Sequence, residues 1–358
     1  MVSAAFSDSI IRYAAWTGLA MLVLIVLMLF QVARLRYALR DRAEQEKHFL
    51  ELWRPLLMQE LSGIRTPLPQ LKSGEEEPFL KLWNHLQDTL RGPAHQYLND
   101  VAVRCGMAEH AQRLLRQGGL RSKLLGLATL GHLGEHSVWN EIVEMTRDPD
   151  SILSMAALGS LLKIDAPQAL RELLPRMIER EDWPVAQLAI LIEEAGEHSS
   201  FSFLMDAAER MESASEPEEL ARLRRALHLL EVVPPQKALP VVRHIMKSAT
   251  DEEVLAQCLR FLIEPSDLPE VRRMTEHAAW AVRLQAAQAL SRIGSLEDVP
   301  VLSKLLGDPV WWVRYRSAQA LVSLARGDGA VLDRIREQID DRLGRDMLTM
   351  AMVEGGKT

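Results

Sequence analysis

Apolar residues in the C-terminal third of the chain recur with the 3.6-residue period of an amphipathic helix. Val282, Ala286 and Leu290 fall on one face, at i, i+4 and i+8. The segment 282–290 is repeated about 31 residues later as 313–321, with apolar, arginine and alanine positions in the same order. Because small residues let helices approach closely, the alanines on the apolar face predict helices that stack. We therefore expect a helical repeat here.

A second helix precedes each of these segments. Residues 296–306 carry a helical pattern that stops at Gly307-Asp308-Pro309, which is typical of a helix end followed by a turn. The repeating unit is thus a helix, a tight turn and a second helix. More diverged second helices follow the same spacing upstream, and together they predict about seven repeats. The diverged segments are 123–134, 153–164, 184–196, 220–231 and 254–262.

This unit resembles the HEAT repeat, and in particular the short bacterial HEAT-like repeat first described in phycobilisome lyases. Three features carry the resemblance: a proline inside the first helix (Pro300), an aspartate in the turn (Asp308) and an arginine early in the second helix (Arg314). The resemblance implies an α-solenoid whose inner surface binds other macromolecules. It also implies that Arg283 or Arg314 bonds the turn aspartate.

The N-terminal segment has a different pattern, because residues 13–32 are apolar and uncharged. About 20 helical residues are enough to cross the hydrocarbon core of a bilayer. Arg12 is the single basic residue before this stretch, whereas a cluster of basic residues follows it. The cluster consists of Arg34, Arg36, Arg40, Arg42 and Lys47. The positive-inside rule then predicts a single-pass inner-membrane protein with its N-terminus outside and its solenoid in the cytoplasm. A cleaved signal peptide is the alternative, and it would need a basic start and a small-residue cleavage site.

The predicted fold class is all-α, an α-solenoid of HEAT-like helical hairpins preceded by one transmembrane helix. Proline, glycine and glutamate punctuate a linker before the first globular helix. The predicted organisation is a short extracytoplasmic N-terminus (1–12), the transmembrane helix (13–32), a juxtamembrane stalk (33–62), the linker (63–78), a helical N-terminal cap (79–120), the repeats (121–330) and a C-terminal capping helix with its tail (331–358).

Composition narrows the functional classes. The chain has 358 residues and a formal net charge of −7, which argues against broad binding to nucleic-acid phosphates. Cys105 and Cys258 lie far apart in helical patterns and are interpreted as core thiols of a protein in a reducing compartment. No cofactor and no small-molecule substrate is expected.

One string raises a metal-site alternative. His132-Leu133-Gly134-Glu135-His136 matches the H-x-x-E-H pattern of inverted zinc peptidases, which requires both histidines on one face of a continuous helix. However, Gly134-Glu135-His136-Ser137 recurs as Gly196-Glu197-His198-Ser199, and Gly294-Ser295 occupies the same repeat position. We interpret the string as a turn between repeats, with glycine ending one helix and serine capping the next. The enzymatic alternative is a bilin-lyase-like HEAT enzyme or a metal-dependent hydrolase using His132, Glu135 and His136.

Binding residues are expected on the second helices, which line the inner surface of a solenoid. The polar residues that the core pattern leaves outward are Gln285, Gln288, Arg292, Arg316 and Gln319. Aromatic residues cluster at the helix starts, namely Trp280, Trp311, Trp312 and Tyr315. Adjacent tryptophans point in different directions on a helix, so one of Trp311 and Trp312 is expected to pack between repeats and the other to reach the surface.

These observations predict a membrane-anchored, non-catalytic cytoplasmic scaffold that binds proteins through its solenoid. Membrane-associated proteins are the expected partners, as in an envelope complex for polysaccharide synthesis or secretion. Exposed tryptophan and arginine are enriched at binding hot spots, which places the predicted contact at residues 280–325.

Overall fold

The structure, a computed structural model, describes residues 2–90, 92, 94–195, 200–211 and 214–355. Side chains are described in these ranges except at 2–15, 17–20, 22–23, 37–43, 45–46, 195 and 200. The described residues are helical and include no β-strand, which confirms the all-α class. The predicted turn at Gly196–Ser199 and the end of the tail at 356–358 lie outside the described residues. Two compact units divide the chain at Glu135 and His136.

Unit one is built on a long first helix and four shorter ones. The helices are α1 (Val2–Leu61), α2 (Glu76–Thr89), α3 (Ala94–Arg104), α4 (Met107–Gln117) and α5 (Leu120–Leu133). Phe49, Trp53 and Leu57 of α1 are buried against α2, where Trp53 meets Phe79 edge-on at 4.9 Å between ring centres. Trp83 is fully buried, and its indole N–H donates to the carbonyl of Leu98 at 2.7 Å. Aromatic burial therefore fixes the end of α1 on the other helices.

The segment between α1 and α2 is held by one buried carboxylate. Glu60 accepts hydrogen bonds from the Thr66 amide at 2.7 Å and the Thr66 hydroxyl at 3.0 Å, and it pairs with Arg104 at 2.7 Å. Burial by itself raises the pKa of Glu60, but the bonds from Arg104 and Thr66 outweigh it and hold the pKa below its ordinary value. Part of the predicted linker is thus tied to the folded unit.

No helix in the described part of the chain has an apolar stretch long enough to cross a bilayer. The exposed apolar side chains of α1 include Trp16, Met21 and those between Leu24 and Val32, and Arg34 and Arg36 follow. The predicted single-pass inner-membrane localisation is therefore wrong, and the transmembrane helix predicted at 13–32 has no support. The side chains at 13–15, 17–20 and 22–23 of that segment lie outside the described ones.

Unit two is built from helices of 7 to 14 residues in its described part. They are α6 (Trp139–Met145), α7 (Ser151–Ile164), α8 (Ala166–Glu179), α9 (Val185–Ala195), α10 (Ser200–Arg210), α11 (Pro217–Leu230), α12 (Pro235–Ser248), α13 (Glu252–Phe261), α14 (Leu268–Met274), α15 (Trp280–Ile293), α16 (Val299–Leu305), α17 (Trp311–Leu324), α18 (Gly329–Glu337) and α19 (Arg342–Gly355). Consecutive helices pair as hairpins, from α6 with α7 to α18 with α19. Short 3-10 turns precede α6, α14 and α16.

The second helices stack directly on one another, with α13 against α15, α15 against α17 and α17 against α19. Small side chains make this approach possible, because Ala286, Ala287 and Ala289 of α15 and Ala318 and Ala320 of α17 are buried. The predicted stack of helical hairpins is confirmed in this unit.

The C-terminal region predicted as one capping helix with its tail (331–358) contains two helices, α18 and α19, which form a further hairpin. The helix ends before 338–341, and a new helix begins after these residues. There the Asp341 carboxylate accepts a hydrogen bond from the Gly344 amide at 2.7 Å. Since α19 packs on α17, it takes the place of a further second helix. The apolar period continues across the break, so the pattern alone did not reveal it.

Arginine–aspartate pairs join successive hairpins. Arg243 of α12 donates to Asp267 at 2.7 Å, and Arg272 of α14 donates to Asp298 at 2.5 Å. Asp298 is fully buried, and its second oxygen accepts from the Ser295 amide at 2.9 Å. One carboxylate therefore caps its own helix and binds the previous hairpin.

Replacing Glu60 with glutamine should lower the free energy of unfolding of unit one by about 1–3 kcal/mol at neutral pH. Because the pKa of Glu60 is lowered in the folded state, its contribution is present above its ordinary pKa of about 4.5 and is lost as the pH falls through the folded value. Urea unfolding of both proteins between pH 7 and pH 3 should show the difference shrinking below pH 4.5. Exposed Glu51→Gln is the control, and a difference that persists at low pH would contradict the assignment.

Asp298→Ala should lower the free energy of unfolding of unit two by about 2 kcal/mol, because it removes a helix cap and the charged hydrogen bond from Arg272. The neighbouring pair of Arg273 with Glu270 is exposed, so Glu270→Ala should cost about 0.5 kcal/mol. Guanidinium unfolding followed by circular dichroism measures both, and equal losses would refute the structural role of Asp298.

Candidate functional site

An aromatic cluster is exposed where α17 begins. Trp311 and Trp312 are 40% and 54% exposed, and their rings meet edge-on at 4.7 Å. Tyr315, one turn later, stacks on Trp311 at 5.0 Å between ring centres. Both tryptophans thus reach the surface, and the expectation that one would pack between repeats is wrong. Trp280 holds the equivalent place at the start of α15 and is 48% exposed.

Arg316 and Glu354 fix the position of this cluster. The Arg316 guanidinium lies 5.9 Å from the centre of the Tyr315 ring and donates to the Gln319 amide oxygen at 2.9 Å. The Tyr315 hydroxyl donates to Glu354 of α19 at 3.0 Å, and this bond raises the pKa of Tyr315. We call Trp280, Trp311, Trp312, Tyr315 and Arg316 the aromatic–arginine surface.

Beside it, a depression of about 240 Å³ separates α15 from α17. It is lined by Gln288, Ser291, Arg292, Arg316, Gln319 and Ala320. Four of the polar residues predicted for binding therefore share one depression. Arg292 differs from the others, because its guanidinium also donates to the carbonyl oxygens of Leu259 at 2.8 Å and Arg260 at 3.3 Å. It closes the end of α13 as well as lining the depression.

The polar face continues onto α13 and α11, beyond the two repeats that the sequence analysis considered. The Gln257 amide nitrogen bonds the His228 imidazole, and Arg260 pairs with Glu231 at 3.0 Å. We call Gln257, Gln285, Gln288 and Gln319 the amide stripe. The sequence signal for Gln257 was its place relative to the apolar residues around it, where Val254 stands to Gln257 as Val282 stands to Gln285.

Arg283 and Arg314 both bind the turn that precedes α17, as the family resemblance implied for an arginine at this position. Arg283 donates to both carboxylate oxygens of Asp308, at 2.6 and 3.0 Å, which confirms the predicted arginine–aspartate bond. Arg314 instead donates to the backbone carbonyls of Asp308 at 2.6 Å and Pro309 at 3.2 Å. Its buried Nε has no hydrogen-bond partner.

A larger cavity of about 640 Å³ lies among α8, α10 and α11. Leu174, Ile178 and Phe203 form part of an apolar floor, and charged residues of both signs surround it. The charged lining residues are Arg171, Arg210, Arg222, Glu179, Asp206 and Glu219. Three positive and three negative groups give this rim no preference for one charge, so it does not select a ligand class.

The H-x-x-E-H string does not form a continuous helical face. Helix α5 ends at Gly134, which adopts the left-handed conformation with φ of 67° and separates His132 from His136. His132 bonds Asp88 at 2.9 Å, whereas His136 stacks on Trp139 at 5.9 Å. Among the described residues, no three His, Cys, Asp or Glu side chains lie close enough to hold a metal ion.

Neither cysteine is poised for nucleophilic chemistry. Burial raises the pKa of Cys258 to about 12 and also raises the pKa of Cys105. Neither thiol forms a disulfide, and because their pKa values are raised both are protonated at neutral pH. Cys258 is fully buried, as predicted for a core thiol, and Cys105 is half-buried.

Comparison with known proteins identifies the type of repeat in part of unit two. Residues 255–322 match the family of HEAT repeats. The matched segment contains α15, the turn at Asp308 and nearly all of α17. It supports a helical-repeat scaffold of the kind that mediates protein interactions, without the phycobilisome-lyase subtype. A search of curated proteins finds no match.

Among solved structures, the chain is similar to an engineered protein whose crystal structure was determined by the Northeast Structural Genomics Consortium. The two are 14% identical, and the alignment covers 80% of this chain and 87% of that one with a TM-score of 0.33. A likeness this distant adds nothing to the assignment of function.

Arg283→Ala should lower the free energy of unfolding of unit two by about 3 kcal/mol, because the pair with Asp308 is largely buried. Arg316→Ala should change it by about 0.5 kcal/mol or less, since Arg316 bonds only side chains of its own helix. Urea unfolding and hydrogen exchange of the turn at 306–310 measure the difference. A comparable loss in both variants would show that Arg316 is structural too.

Proposed function

We propose that this protein is a non-catalytic scaffold that binds a partner protein through the aromatic–arginine surface. The exposed Trp311–Trp312–Tyr315 cluster carries this proposal. Monomeric proteins seldom leave several large aromatic side chains together in solvent, and tryptophan, tyrosine and arginine dominate binding hot spots.

The rigidity of the cluster supports the same function. Its rings hold one another in place, and the bond from Tyr315 to Glu354 joins α17 to α19. A partner would therefore lose little side-chain entropy by binding there, which increases the affinity available from each contact. The adjacent depression supplies amide and guanidinium groups for the polar rim of an interface.

The chemistry of the described residues supports a binding role over catalysis. The His132 and His136 side chains are engaged with Asp88 and Trp139 respectively, and both thiols have raised pKa values. These arrangements supply neither an activated nucleophile nor a general base near its partner.

Trp312→Ala should reduce recovery of the partner by at least about tenfold, because truncating a hot-spot tryptophan costs about 2 kcal/mol or more. The measurement is affinity purification of the full chain from its own cells with quantitative mass spectrometry. Arg316→Ala should reduce recovery of the same partner.

Ile152→Ala is the matched control. Ile152 is 61% exposed and occupies the second position of α7, as Trp312 does in α17. Its substitution should leave recovery unchanged. The proposal fails if the same proteins are recovered in the same amounts with Trp312→Ala and Arg316→Ala, provided that circular dichroism shows both variants folded.

A further inference from the structure

We infer that the partner contributes an extended segment of polyproline II geometry, bearing an acidic side chain, which lies across the amide stripe. This inference rests on the proposed function and specifies what the scaffold recognises. Three observations support it: unpaired amide oxygens, the spacing of the helices and the local charge.

The stripe contains two buried hydrogen-bond acceptors that nothing satisfies. The side-chain oxygens of Gln257 and Gln285 have no hydrogen-bond partner, although the two residues occupy equivalent places on α13 and α15. A buried acceptor without a donor is unfavourable. Because the final side-chain torsion of glutamine is broad, the Gln285 amide can turn outward to meet a donor on a ligand. The Gln257 amide, whose nitrogen bonds His228, would exchange that bond for one to the ligand.

The backbone of a polyproline II segment offers suitable donors. It makes no internal hydrogen bonds, so each non-proline N–H is free to donate. An α-helix, in contrast, has already used its backbone N–H groups except in its first turn. Glutamine amides arranged on successive helices therefore favour an extended ligand over a helical one.

The spacing of the stacked helices matches this geometry. Helices that pack directly lie about 8–10 Å apart, and three residues of polyproline II span about 9.3 Å. Every third residue of such a segment faces the same way, so equivalent backbone groups meet successive second helices. Gln257 and Gln285 lie at equivalent places on two consecutive second helices, and Arg316 holds that place on the next one.

The charge of the depression at the stripe determines which side chain of the bound segment fits there. The chain is acidic overall, yet the depression at the stripe is lined by Arg292 and Arg316 and by no acidic residue. An Asp or Glu of the segment fits there. Aromatic side chains favour proline rings, so the Trp311–Trp312 end would take the apolar part of the segment.

Phage-displayed random 12-residue peptides, selected on the full chain, provide the test. Selected sequences should carry an acidic residue and prolines in a three-residue register. Their affinities are measured as synthetic fluorescent peptides by anisotropy.

Gln285→Met preserves size and removes the amide, and should weaken binding about five- to tenfold. The double variant Gln257→Met/Gln285→Met should weaken it further. Gln187→Met, at an exposed glutamine of α9, is the control and should have no effect. N-methylation of single peptide amides provides a second reading that leaves the protein unchanged, and methylation at every third residue should weaken binding most.

Several results would overturn the inference. Selected peptides that show helical i, i+3, i+4 spacing and bind better when helix-stapled would show that the ligand is a helix. Peptides insensitive to Gln285→Met and to N-methylation would exclude backbone recognition by the stripe. Failure to select any peptide above the level of the double variant would exclude a linear segment. In each case a partner still lost with Trp312→Ala would leave the proposed function standing.

Discussion

Each hairpin of unit two buries its apolar stripe only against the next hairpin, because two helices alone leave one face uncovered. Close stacking requires small residues at the contact, and Ala286, Ala287 and Ala318 supply them on α15 and α17. Once those faces are used for stacking, the remaining positions of each second helix must face outward. The surface that carries the candidate site is therefore a consequence of how the core is packed.

Arginines of similar appearance in the sequence have different roles in this arrangement. Arg272 and Arg283 bind aspartates of the following hairpin, and Arg314 binds only backbone carbonyls. The buried Nε of Arg314 has no partner, which marks where the ladder of arginine–aspartate pairs ends. Arg316 bonds Gln319 of its own helix and lies at the surface. Arginines therefore hold hairpins together at some positions of a helix and are available for binding at others.

The N-terminal region shows a limit of reasoning from local composition. Its apolar run suggested a membrane span, yet no helix of the described residues meets that requirement. Further along α1, the packing depends on residues distant in sequence, since Phe49 and Trp53 pack on α2 and Glu60 binds Arg104 of α3. Such contacts depend on side chains separated by tens of residues, and hydropathy does not register them.

The sequence by itself determined the helical class, the hairpin repeat around 282–321 and the outward position of Gln285, Gln288 and Gln319, because these follow from a 3.6-residue period and its recurrence. The family resemblance implied an arginine bonded to the turn aspartate, and tertiary structure decided that Arg283 is the partner of Asp308. Tertiary structure decided that both Trp311 and Trp312 are exposed, that α18 and α19 form a further hairpin, and that Gln257 joins the stripe. Those outcomes depend on which neighbouring helix covers each face, and a period along one helix carries no information about its neighbours.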